Sequence, residues 1–308
     1  MKKINIGVLG CANIADRFII PTIKEVDFEA KKKEVIIASK ISLMSDIDDT
    51  SKLIIKKPNS KKWAVVIGVE NYKKAPDVEF AERDALVTKE YFNKLLGVPK
   101  ENTFYLVNSD ATYGELKVLL KDKLKNRVAK DDEVYFYFSG HGVPTNEGDR
   151  YLLLNDSDPT NPKISAYPIK ELYEDLGTLN TTKSYAFLDT CFSGNVARGN
   201  EKDSLLGGTR AVMKVKDITL AYNNLTVYAA TGKDQLSNSF KEQGHGLFTY
   251  YMLKGLGGEA DTNKDGKVSE QELQDYIKSN VSTQSRKLYG ESRYQEPQLK
   301  SMVDGDIY

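Results

Sequence analysis

The 308-residue chain is poor in the residues that staple or react: it has two cysteines, two histidines and one tryptophan. Two thiols, Cys11 and Cys191, cannot build a disulfide framework, so a reducing compartment is the default. Charge of one sign is not in excess, because Lys plus Arg and Asp plus Glu both number 44. No global field therefore draws the chain to nucleic acid or to an anionic membrane. No apolar run reaches the roughly 20 residues of a bilayer-spanning helix. The opening MKKINIGVLGC places a small residue before Cys11, as a lipoprotein leader does. Its apolar core, INIGVL, is shorter than a secretory core of roughly 7–15 residues. The expectation is a cytoplasmic protein that binds neither nucleic acid nor membrane.

What is present is ordinary globular material, with 40% hydrophobic and 29% charged residues. The length suits one large domain with appendages, or two modest ones. Residues 1–40 read strand, helix, strand, as a short βαβ-like extension. Residues 41–61 are largely polar, end in the Lys-rich KKPNSKK, and read as a linker. From residue 62 onward strands and helices alternate. Strands are expected at 63–69, 103–108, 133–140, 151–155, 184–190 and 225–231, as apolar runs bounded by turn residues. Helices are expected at 79–96, 112–128, 168–179, 246–256 and 270–287. Alternation of this kind implies right-handed crossovers, hence an α/β fold with a mostly parallel sheet and helices on both faces.

In such a sheet functional residues gather at the carboxyl ends of strands. Two stretches lie there, FSGHG (138–142) and FLDTCFSGN (187–195). His141 follows one strand and Cys191 another, and glycine stands close after each. An imidazole that takes a thiol proton, so that the thiolate attacks a carbonyl, is the smallest cysteine-nucleophile site. Singly, each residue also fits a plainer role: a buried inert thiol or a satisfied polar histidine. Together, in a chain with so few of either, the catalytic reading gains. His245, in EQGHGLF, reads as a loop residue and not as a second catalyst.

The N-terminal run INIGVLGCA, with Gly7, Gly10 and Ala12, resembles the opening of the Gfo/Idh/MocA family of NAD(P)-dependent oxidoreductases. Small residues there let a pyrophosphate approach a helix N-terminus. The resemblance covers about forty residues and no further units of that type follow, so a remnant or added cap is expected.

YFSGHG (137–142) and LDTCFSG (188–194) resemble the paired signatures of caspase-like cysteine peptidases, in their metacaspase and prokaryotic caspase-homologue branch. Cys191 follows His141 by 50 positions, the caspase separation. The resemblance runs from about residue 62 to the C-terminus. It implies Cys191 as nucleophile, His141 as general acid/base, and the backbone N–H groups of Gly142 and Cys191 as oxyanion donors. It also implies a substrate pocket containing Asp189, Asp84 and Ser139, with 232–240 as another wall, that selects Arg or Lys. Asp189 lies two residues before Cys191, on the same strand face. Asp84, in AERDA, matches more loosely, because Arg83 stands where the family has Asn; it could equally be a helix N-terminal acid favoured by the macrodipole. Arg198, Arg210, Lys214 and Lys216 in 195–216, and the lysines of 56–62, are candidate sites of self-cleavage.

DTNKDGKVSEQE (261–272) fits the EF-hand calcium loop D-x-[DN]-x-[DN]-G-x5-E. Asp261, Asn263, Asp265, the Lys267 carbonyl, Ser269 and Glu272 take the ligand positions, and Gly266 the sharp turn. A polar loop with acidic capping residues is the plainer reading. The expectation is thus a cysteine endopeptidase acting on proteins or peptides at Arg or Lys, with no catalytic cofactor and with Ca2+ at this loop. The rivals are a catalytically silent caspase-like interaction scaffold and, from the N-terminus alone, an NAD-linked oxidoreductase. Oligomeric state is not legible.

Overall fold

A computed structural model describes residues 45–193, 205, 221–232, 235–301 and 305–308. The expected N-terminal extension, with Gly7, Gly10 and Ala12, and nearly all of 195–216 lie outside the described residues.

Six strands form the main sheet: β1 (Lys62–Gly68), β2 (Thr103–Val107), β3 (Glu133–Ser139), β7 (Lys183–Asp189), β8 (Leu225–Ala229) and β11 (Gln298–Lys300). Their order is β11-β8-β7-β3-β1-β2, parallel throughout except for β11. Chain order reverses beside β1, which sends β2 to one side and β3 to the other. A parallel sheet with this reversal opens its crevice at the strand carboxyl ends.

Successive side chains leave a strand on opposite faces, and here each face meets its own helices. Ala64, Val66, Tyr135, Tyr137, Tyr185, Phe187 and Tyr228 point to one layer, with the buried faces of α1 (Ala81–Lys94), α5 (Leu247–Lys254) and α6 (Glu270–Tyr289). Val65, Ile67, Phe136, Phe138, Ala186 and Leu188 point to the other, against α2 (Tyr113–Val118) and α4 (Ile169–Gly177). Register explains the ring stacking on the first face. Tyr135 pairs with Tyr185 and Phe187 with Tyr228, and their ring centroids lie 5.3 and 5.0 Å apart, close to the spacing of adjacent strands. Burying each such ring contributes about 1.5–3 kcal/mol.

The alternating α/β architecture is as expected from sequence. The expected helix at 112–128 is α-helical only to Val118 and continues as a π-turn, Leu119–Leu124. The one at 246–256 ends in a similar turn, Gly255–Glu259, where Gly258 takes φ of 115°. A small sheet of β4 (Gly142–Pro144), β5 (Arg150–Leu152) and β6 (Tyr167–Pro168) stands beyond β3, joined by the short helix α3 (Pro162–Ser165). A hairpin of β9 (Ser239–Phe240) and β10 (His245–Gly246) precedes α5. The compact unit begins at Ser45, and two 3-10 turns, Asp46–Asp48 and Thr50–Lys52, carry the buried Ile47 ahead of β1. No helix among the described residues is long and apolar enough to cross a membrane.

Candidate active site

The site is built by the pairing of β3 with β7. Their last register pair is Ser139 with Asp189, and one step on the Gly140 N–H donates to the Asp189 carbonyl at 3.3 Å. His141 and Cys191 each stand two residues past that pair, at neighbouring strand tips. Gly142 shows how close the tips are: a Cβ there would lie 2.5 Å from the Cys191 carbonyl oxygen and 2.6 Å from the Phe192 ring. No side chain fits.

Both candidate residues are fully buried. The Ser193 hydroxyl lies 4.0 Å from Cys191 Sγ. The His141 N–H donates to the Tyr72 hydroxyl at 2.8 Å, and the Tyr72 ring lies 5.0 Å from the imidazole. The Tyr72 hydroxyl in turn donates to the Leu153 carbonyl. His141 Nε2 lies 2.8 Å from the Pro76 carbonyl, which can only accept. In the neutral ring Nε2 therefore carries the hydrogen, and Nδ1 keeps the lone pair that can receive a proton.

The expected pocket residues share one sheet face. Ser139 and Asp189 continue the parity of Tyr137 and Phe187, so both turn toward α1 and α5. Asp189 is buried and accepts from the Ser237 hydroxyl at 2.6 Å, the Thr249 N–H at 3.1 Å and the Thr249 hydroxyl at 2.5 Å. The Thr249 proton is then spent, so the Tyr137 hydroxyl donates to Thr249 Oγ1 at 2.7 Å. Ser237 thus brings the 235–240 stretch onto Asp189. The Ser139 hydroxyl is buried, with no hydrogen-bond partner among the described residues. Asp84 is buried on the first turn of α1 and accepts from the Gly246 N–H at 3.1 and 3.2 Å. Gly246 is the N-cap of α5 and Thr249 lies in its first turn, so the two carboxylates satisfy amides that a helix start leaves unpaired.

Sequence reasoning missed His245. Expected in a loop, it is a β10 residue, wholly buried between Asp84 and Asp48. Asp48, Arg83 and His245 had no assigned role. The only signal was composition, His245 being one of two histidines in the chain. An open cavity of 530 Å3 lies beyond β4 between the 144–147 and 159–164 loops and contains none of the residues above.

The 261–272 loop turns at Gly266, where φ is 82°. Its acidic side chains are occupied by the loop's own donors. Asp261 accepts from Asp265 and Gly266 N–H groups, Asp265 from that of Lys267, and Glu272 from Thr262, Asn263 and Ser269. Ser269 and Glu272 form a capping box on α6. Among the described residues, no group of three or more His, Cys, Asp or Glu side chains is arranged to hold a metal ion.

No curated protein matches the chain. Among solved structures, protein GSU0716 from Geobacter sulfurreducens is similar at 17% identity and a TM-score of 0.53, over 78% of this chain and 92% of that one. That likeness concerns the fold. The family model for the caspase domain, Peptidase C14, matches residues 61–308, and with the parallel sheet and the two strand tips in place the chain belongs to that family.

Proposed function

We propose that the chain is a cysteine endopeptidase that cleaves after Arg or Lys through Cys191 and His141. The observation that carries this reading is the β3–β7 register, which sets the two residues at adjoining tips with Gly142 against the Cys191 carbonyl. His141 Nδ1 takes the Sγ proton and the thiolate attacks the scissile carbonyl carbon. The displaced electron pair goes to the carbonyl oxygen, and the Gly142 and Cys191 N–H groups are the proposed donors to it. Collapse breaks the C–N bond, and His141 returns its proton to the leaving amine. Water, deprotonated by His141, then hydrolyses the thioester and restores the thiol.

Asp189 is the proposed partner of the substrate cation, with Asp84 behind it. The orphaned Ser139 hydroxyl supports a pocket on this face, since an unsatisfied buried hydroxyl costs about 1–3 kcal/mol until a ligand meets it. Self-processing belongs to the same proposal. Ile54 and Ile55 are 79% and 70% exposed, and the 54–60 run leaves Lys57 accessible.

Hydrolysis of fluorogenic peptides ending in Arg, Lys or Asp, by wild type and Cys191→Ala, tests the reading. Arg or Lys peptides should turn over, with a loss of about a thousandfold or more in the variant. A self-cleavage fragment on a denaturing gel should vanish with Cys191. Preference for Asp would remove the pocket assignment and leave the nucleophile. Complete burial of both reactive residues favours a second reading, a silent interaction scaffold, and absence of turnover in wild type would select it.

A further inference from the structure

The turns ahead of β1 hold a carboxylate deep in the domain. Asp48 ends the turn Asp46–Asp48, and its side chain is fully buried. One of its oxygens lies 3.0 Å from His245 Nε2, and the other is paired with Arg83 of α1. The second ring nitrogen of His245, Nδ1, lies 2.8 Å from Asp84. Ionised carboxylates only accept, so both ring nitrogens donate and His245 is an imidazolium. Asp48 and Asp84 thus bracket the His245 ring, with the part-buried Arg83 against Asp48. Removing one of these groups strands a charge in a site that cannot solvate it.

The chain of contacts does not end at His245. Asp84 accepts from the N-cap amide of α5, and the first turn of α5 holds Asp189 through Thr249. A continuous line of hydrogen bonds and one helical turn therefore joins residue 48 to the carboxylate two positions before Cys191.

We propose that Asp48 and His245 are positioning residues for the substrate pocket. The 45–52 segment is a strap that locks Asp84 and the start of α5 in place through the His245 ring. The proposal rests on the peptidase reading for its substrate, though not for its geometry. The strap has other attachments, Lys254 to Asp46 at 2.9 Å and Lys94 to Thr50 at 2.7 Å. A neutral residue at position 48 thus breaks the lock without releasing the strap.

The test is Asp48→Asn in the full chain, read in two ways. With an Arg peptide, KM should rise about tenfold while kcat stays within about twofold, the scale expected when a hydrogen bond to a charge is lost. By hydrogen exchange, the Gly246 amide, which reports Asp84 directly, should lose about tenfold in protection. His245→Gln should behave in the same direction, and it carries both readouts if Asp48→Asn does not fold. Unchanged KM and unchanged Gly246 protection overturn the proposal. A fall in kcat with KM unmoved marks a merely structural contact and also overturns it. Wild type without turnover refutes the peptidase reading instead, and Gly246 exchange then decides the lock by itself.

Discussion

Gly142 is where a single atom decides the geometry of the site. The contact a Cβ would make is with the Cys191 backbone carbonyl, which cannot swing aside as a side-chain tip can. Gly142→Ala must therefore push the β4 entry away from Cys191. Overpacking of this kind costs about 1–3 kcal/mol. Displacing a reacting group by about 1 Å can cost about a hundredfold in rate. The expected outcome is a denaturant midpoint lowered by that amount and a kcat/KM on Arg peptides lower by about a hundredfold. Wild-type kinetics in a folded Gly142→Ala protein would show that tip spacing does not govern the reaction. Cys191, His141 and this glycine were legible in sequence as candidates, since all three sit in short motifs closing apolar runs. The proton position on His141 was not, because its partner, the Pro76 carbonyl, lies 65 residues away.

Among the elements, the long strands and helices were legible and the short ones were not. β1, β3 and β7 are seven-residue strands centred on apolar runs. β4, β9, β10 and β11 have two or three residues each, too few for any periodicity, and exist because a neighbouring backbone offers them partners. The 261–272 loop shows the converse, a complete sequence pattern whose side chains are otherwise engaged. Its Asp261 and Glu272 carboxylates already accept backbone N–H groups and would share their remaining lone pairs with a cation. We propose calcium binding there, and a single loop without a partner loop places it at the weak end of the EF-hand range. Calorimetric titration of wild type and Asp265→Ala checks it. Heat absent from wild type at millimolar calcium, or unchanged in the variant, removes the loop as a calcium site. Peptide hydrolysis with calcium and with chelator then reads whether the loop, when loaded, tunes the rate.

At the scale of the whole molecule, what sequence could not supply is the meeting of distant segments. Asp48 and His245 are 197 residues apart, and Asp84 and His245 are 161 apart. Their convergence turns an apparently polar linker into part of the domain, and it makes stability depend on pH in a definite sense. Burial pulls the His245 pKa down, but the hydrogen bonds and charges of Asp48 and Asp84 outweigh it and leave the pKa above the ordinary 6.5. Burial raises the Asp48 pKa, and His245 and Arg83 more than reverse this, leaving it below 3.8. Asp46, Asp49, Lys52, Tyr91, Lys94, Tyr250 and Lys254 are further titratable groups on and around the strap. A raised imidazole stabilises fully below 6.5 and loses its contribution as pH rises through the folded value, while a depressed carboxylate stabilises above 3.8 and fails only in stronger acid. The stability gap between wild type and His245→Gln should therefore be widest between those two values and narrow on the alkaline side. Denaturant midpoints of both proteins across that range and up to alkaline pH measure it. A gap that widens with rising pH would mean that His245 is neutral between two ionised carboxylates, so that the folded site binds fewer protons than the unfolded chain.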